Sequence, residues 1–162
     1  MKQLLIIIAA MLLSASAFAQ DGRSLYHKYS DEDGVKAVYI SPAMFKLIGK
    51  LPSFEIGDDG EKIDLTPIIK SLKGFYLLNS TDRSIVEKIG ADAKKVLSSG
   101  DYDVMLEAKE DGETVRIYTE GDDDIIHSFI MTAGTKSEIT FISMDGLISR
   151  KDFEKALGTL AY

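Results

Sequence analysis

The chain has 162 residues, a formal net charge of −7, and neither cysteine nor tryptophan. The acidic balance argues against partners that need clustered Lys and Arg, so nucleic acid is not expected. The lack of cysteine excludes disulfides, thiolate metal sites and a lipid-modified cysteine.

The chain opens Met1-Lys2-Gln3, runs through the apolar stretch Leu4 to Leu13 and leaves it through Ala17-Phe18-Ala19. A basic start, about ten apolar residues and a small-x-small exit predict a secretory signal peptide over residues 1–19, cleaved near Ala19-Gln20. The run falls short of the roughly 20 apolar residues that a membrane span needs. The expected product is periplasmic or secreted, with no transmembrane segment or lipid anchor. Residues 20–162 have the length of a single domain.

Leu25, Tyr26 and Tyr29 have the spacing of a short helix over Arg23 to Ser30. Val35 to Ile40 is apolar on both faces and predicts an interior strand. Ser41-Pro42 supplies an N-cap and a first-turn proline for a helix from Pro42 to Gly49. Pro52 to Asp64, centred on Gly57-Asp58-Asp59-Gly60, predicts an exposed loop. Thr66-Pro67 repeats the helix-start signal for a short helix through Leu72 that stops at Gly74, and Phe75 to Asn79 predicts a buried strand. Ser80, Thr81 and Asp82 cap the longest helix. It carries Ile85, Val86, Ile89, Ala93, Val96 and Leu97 on one face, opposite Arg83, Glu87, Lys88, Asp92, Lys94 and Lys95.

Four strands follow: Tyr102 to Ala108, Glu113 to Thr119, Ile125 to Thr132 and Glu138 to Ser143. Asp111-Gly112 between the first two is a strong hairpin signal, because a type I′ turn needs positive φ at both central residues. A two-residue loop sets Ala108 opposite Val115 and Leu106 opposite Ile117 on one face, with Glu107 opposite Arg116 and Met105 opposite Tyr118 on the other. Asp145-Gly146 predicts a turn, and Ser149 a cap for a last helix through Leu157. The fold class is α+β, a mostly antiparallel sheet with a four-stranded C-terminal meander and helices packed mainly on one face. The helices at Pro42 and Asp82 are expected to cover the face of Val104, Leu106, Val115 and Ile117.

Several of these stretches together resemble a known bacterial family, domain of unknown function 4252. They are Tyr29-Ser30-Asp31 with Gly34-Val35, Val38-Tyr39-Ile40-Ser41 leading to Met44, Gly74-Phe75-Tyr76-Leu77-Leu78, and Tyr102-Asp103-Val104-Met105 before Gly112-Glu113-Thr114-Val115. The resemblance covers the chain beyond the signal peptide and rests on structural motifs. It implies a small exported protein of Gram-negative bacteria with no assigned reaction, in an envelope-stress or signalling context. Lipoprotein members carry a cysteine that this sequence lacks.

No nucleophile elbow, P-loop or dinucleotide glycine pattern occurs, and no cofactor is expected. Two histidines, His27 and His127, are available for acid-base work, and neither has a metal-ligand neighbour at a recognised spacing. His127 falls on the strand face of Phe129 and Met131. Asp145 to Phe153 resembles the back half of a calcium loop, but the alignment puts Phe141 where the first carboxylate belongs. The acidic clusters Asp58-Asp59 and Asp122-Asp123-Asp124 fit either a weak hard-cation site or ordinary solvated turns. Met105 and Tyr118, with Arg116 and Glu107, put apolar groups on a sheet face that a one-sided sheet would make polar. The leading expectation is a binding domain for a protein partner or a second copy, through this face or an edge strand. A small-molecule or calcium module on the acidic loops, and a hydrolase centred on His127, are the alternatives.

Overall fold

The computed structural model describes residues 21–48, 54–56, 61–63 and 68–158. The predicted signal peptide and the Asp58-Asp59 pair lie outside the described residues. Strands β1 (Val35–Ile40), β4 (Leu72–Ser80), β5 (Asp103–Glu110), β6 (Glu113–Gly121), β7 (Ile125–Gly134) and β8 (Ile139–Ser149) make an antiparallel sheet. Their order is β1-β4-β8-β7-β6-β5. Two short strands, β2 (Phe54–Ile56) and β3 (Glu61–Ile63), pair with each other in the region expected to be a loop. The helices are α1 (Gly22–Tyr29), α2 (Pro42–Ile48), α3 (Arg83–Ser99) and α4 (Arg150–Gly158). The α+β class and the C-terminal meander β5 to β8 are as the sequence predicts. Among the described residues no helix is long and apolar enough to cross a membrane.

Local chemistry places most of the boundaries. The side chains of Asp21 and Asp82 accept the N–H groups of Ser24 (2.7 Å) and Ile85 (3.1 Å), capping α1 and α3. Ser41 and Ser149 do the same for Met44 (3.3 Å) and Asp152 (3.4 Å). Each cap satisfies a donor that the first helical turn cannot. At the β5–β6 turn Asp111 and Gly112 have φ of 47° and 85°. Positive φ at both positions is the type I′ geometry that the Asp-Gly pair predicts.

Three expectations fail where tertiary pairing overrides the local signal. The start of the helix expected at Thr66-Pro67 lies outside the described residues, and its expected continuation is a 3-10 turn over Ile69–Ser71, after which Leu72 and Gly74 already belong to β4, which pairs with both β1 and β8. Asp145-Gly146 does not turn the chain, because β8 runs on to Ser149 and pairs Asp145 with Gly74 on one side and Ser128 on the other. Strand β1 lies at an edge of the sheet with Val38 and Tyr39 exposed, although its composition suits an interior strand.

The helices at Pro42 and Asp82 were expected over one face and lie on opposite faces. Phe45 of α2, the 3-10 turn and Phe153 of α4 pack on Phe75, Ile117, Phe129, Ile142 and Met144. Leu25 and Tyr29 of α1 with Ile85, Ile89, Ala93 and Val96 of α3 pack on Leu78, Ile130 and Phe141. The reason is visible in neighbouring pairs such as Leu77-Leu78, Ile130-Met131 and Phe141-Ile142. Successive strand residues point to opposite faces, so both faces are apolar and both need a cover.

Helix α1 sits tightly on the sheet. A Cβ on Gly22 would fall 2.0 Å from Ser143 Oγ, so only glycine allows this approach. At its other end Asp92 of α3, expected on the solvent face, is buried and binds α1. Its Oδ2 accepts hydrogen bonds from Lys28 Nζ (2.5 Å) and Tyr29 Oη (2.7 Å), and its Oδ1 accepts one from Lys95 Nζ (2.9 Å). The Lys28 and Lys95 bonds, with a smaller contribution from Tyr29, hold the Asp92 carboxyl well below the usual carboxylate range against the opposing effect of burial. A depressed folded-state pKa means stabilisation that is present above the unfolded value of about 4 and is lost as pH falls below it. Asp92→Asn is expected to lower stability at pH 7 by about 1–3 kcal/mol. In denaturant titrations its deficit relative to the parent protein should shrink as pH falls below about 4.

Candidate functional site

The face that α1 and α3 cover extends beyond them over β5, β6 and β7. Here the type I′ turn sets the register that the sequence predicts, with Glu107 opposite Arg116, Leu106 opposite Ile117 and Ala108 opposite Val115. Arg116 Nε donates to Glu107 Oε2 at 2.5 Å, and Lys109 Nζ lies 2.7 Å from Glu107 Oε1. These bonds from Lys109 and Arg116 hold the Glu107 carboxyl well below its ordinary value. Tyr118 is half-buried on the same face and packs against the core beneath α3.

Arg116 and Tyr118 line a groove of about 350 Å3 between α3 and the β6–β7 side of the sheet. Lys94 and Leu97 of α3, Thr132 of β7 and Lys136 of the β7–β8 turn complete its walls. The groove thus brings together Arg116 and Tyr118, with Glu107 bonded to Arg116 but not part of the lining. Met105 does not join them. The β5–β6 register shifts between Val104 and Leu106, so Tyr118 faces Val104 and Met105 is the extra residue of a β-bulge. That bulge also moves Val104 off the face of Leu106 and Ile117, where simple alternation had put it.

A second feature of this face lies at its other end and was missed by the sequence reading. Paired neighbours across β4, β8 and β7 make a row of Gly74, Asp145 and Ser128, with Glu120 of β6 opposite Ser128. Tyr102 closes the row, its hydroxyl 2.9 Å from Ser128 Oγ. Burial pushes the Asp145 carboxyl up to about 6, with Asp21 and Glu120 adding to the rise while Arg23 and the Ser128 hydrogen bond oppose it. Burial likewise lifts the Tyr76 and Tyr102 phenols, each to about 12. Ser143, two residues before Asp145, has a fully buried hydroxyl with no hydrogen-bond partner among the described residues. The signal for this row was the alternation Phe141, Ser143, Asp145, legible once β8 is known to continue past Asp145. A half-buried carboxylate that titrates near neutrality beside hydroxyl groups can exchange a proton with a bound polar group.

The acidic turn at Asp122-Asp123-Asp124 has a structural job. Asp122 Oδ1 accepts the N–H groups of Asp124 (2.9 Å) and Ile125 (2.7 Å), while Arg150 Nε donates to the Asp122 carbonyl at 2.7 Å. The turn is thereby fastened to the start of α4. Among the described residues no three metal-ligating side chains converge. His127 does not share the face of Phe129 and Met131, because the register shifts between Ile126 and Ser128, and it is exposed 4.0 Å from Asp122 Oδ2.

The family model described as "Domain of unknown function (DUF4252)" matches residues 29–156. No curated protein and no solved structure matches the chain. The match takes in both the groove and the Asp145 row.

The raised Asp145 pKa fixes the sign of a pH effect. Between about pH 4 and 6 the folded state holds a proton that the unfolded state has lost, so this group makes stability fall as pH rises. Asp145→Asn should therefore remove that slope and raise stability at pH 7 by about 1–2 kcal/mol, allowing for partial solvent screening. Thermal melts at pH 4 and pH 7 measure it.

Proposed function

The chain belongs to the DUF4252 family, whose description names no activity, and we propose that it is an exported, non-enzymatic binding domain. In this reading it takes an extended segment of a partner protein along strand β5, in an envelope signalling or stress-response setting. The observation that carries the reading is the state of β5. It ends the sheet order, every one of its residues is exposed, and Val104, Met105 and Leu106 are 61%, 45% and 45% exposed.

A sheet edge presents unsatisfied N–H and C=O groups as a template for another strand, with side-chain contacts to supply specificity. Natural edges are normally guarded by charge, brevity or distortion. This one carries the bulge at Met105 as a guard, then a regular stretch from Leu106 to Glu110 that a partner strand of about five residues matches. A second copy of the chain, pairing β5 with β5 about a two-fold axis, uses the same groups.

Two measurements test the reading. N-terminal sequencing of the exported product should begin at Gln20, and retention of residues 1–19 would remove the export step. Met105→Glu combined with Leu106→Glu should abolish both partner capture from an envelope extract and any dimer seen by light scattering, while leaving the circular dichroism spectrum unchanged. Unaltered capture and oligomeric state in that folded variant would sink the β5 interface.

A further inference from the structure

Beyond the β5 edge, we propose that the groove between α3 and strands β6–β7 binds a small organic polyanion, one bearing carboxylate or phosphate oxygens on a hydroxylated body. Its volume of about 350 Å3 lies at the lower end of the roughly 300–1,000 Å3 typical of small-molecule sites. The occupant is therefore the size of a tricarboxylic acid or a sugar phosphate.

The charge of the groove runs against that of the molecule. The chain carries a net −7, yet Lys94, Arg116 and Lys136 line this space against the single carboxylate of Glu138. Glu138 is itself engaged, accepting a hydrogen bond from Asn79 Nδ2 at 3.1 Å. Lys94 and Lys136 are exposed and have no ion-pair partner among the described residues. They reach the groove from separate elements, α3 and the β7–β8 turn.

Arg116 supplies the directional part of the site. Its Nε donates to Glu107 Oε2 at 2.5 Å, which ties the guanidinium to the β5–β6 ladder. A guanidinium has five N–H donors, and the terminal ones have no partner among the described residues. A braced fork with free donors is the geometry that carboxylate and phosphate oxygens take up in pairs. Thr114, Thr132 and Tyr118, each with a hydroxyl group, line the same space and suit the neutral part of the ligand.

The acidity of the rest of the surface also limits the partner. A nucleic acid or an anionic membrane extends far past the groove and meets the repulsion of the whole acidic body, whereas a small anion sits inside the local positive field.

The test is a nitrogen-proton NMR titration of the exported protein with citrate, with glucose 6-phosphate and with neutral glucose. Either anion should move the amide signals of Thr114, Thr132 and Lys136 with a dissociation constant of about 1 mM or tighter, and glucose should not. A response to citrate alone assigns a carboxylate ligand, and one to the sugar phosphate alone assigns a phosphate. Arg116→Gln should weaken binding about tenfold. So should Lys94→Ala with Lys136→Ala, a pair of exposed residues whose loss leaves the fold intact. Added salt should weaken binding too. Met105→Glu with Leu106→Glu should leave it unchanged, so failure of the β5 reading and failure of this one are separable. The proposal is overturned by an absence of shifts with both anions, by shifts confined to another surface, by an equal response to glucose, or by undiminished binding in the lysine variant.

Discussion

Strand β8 is the constraint on which the rest of the architecture depends. It is paired along both edges, to β4 and to β7, and its alternating residues feed two different cores. Phe141 enters the core under α1 and α3, while Ile142 and Met144 enter the one under α2 and α4. A strand that buries both faces has no solvent side, so helices must be divided between the two. That division pins α1 to the sheet at Gly22 and joins it to α3 through Asp92. The start of α1 also brings Asp21 and Arg23 near the Asp145 carboxylate, where Asp21 adds to its raised pKa and Arg23 opposes it.

The same face shows how a sheet covered only in part comes to have usable surfaces. Helix α3 packs on β4 and β8, and at its flank, toward β6 and β7, lies the groove lined by Lys94, Arg116 and Tyr118. Past the groove, β5 is exposed along its whole length and pairs only with β6, so its outer edge has no strand beside it among the described residues. The bulge at Met105 separates the two surfaces. It takes Met105 out of register with Tyr118, so that the side chain belongs to the edge and not to the groove. Glu107 of β5 bonds to both Lys109 and Arg116, and so links the edge strand to the guanidinium that lines the groove.

Asp122 and Asp145 show why composition alone does not make a site. Both are carboxylates of the meander, and only the first stood out in the sequence, because it lies in a run of three. In the structure its oxygen is satisfied by the backbone N–H groups of its own turn, which lowers its pKa and removes it from chemistry. Asp145, isolated in sequence and followed by glycine, looked like a turn residue. Strand pairing carries it into a half-buried row instead, and burial gives it the unusual titration.

What the sequence determined by itself was local: the N-caps at Ser41 and Ser149, a cap for α3 within Ser80 to Asp82, the type I′ turn at Asp111-Gly112, and the register from Leu106 to Glu110 that follows from it. Each of these rests on interactions between residues within a few positions of one another, so a short window contains the whole cause. It also determined the α+β class and the pairing of Glu107 with Arg116. Only the tertiary structure decided that β1 is an edge, that Leu72 and Gly74 extend a strand, that β8 continues through Asp145, and that Met105 is bulged out. Those outcomes depend on which strand lies alongside, and hydrogen bonds to a strand distant in sequence outweigh a local turn or helix preference of about 1 kcal/mol. The groove and the Asp145 row are products of that second kind of decision, since each is assembled from elements that meet only when the sheet is complete.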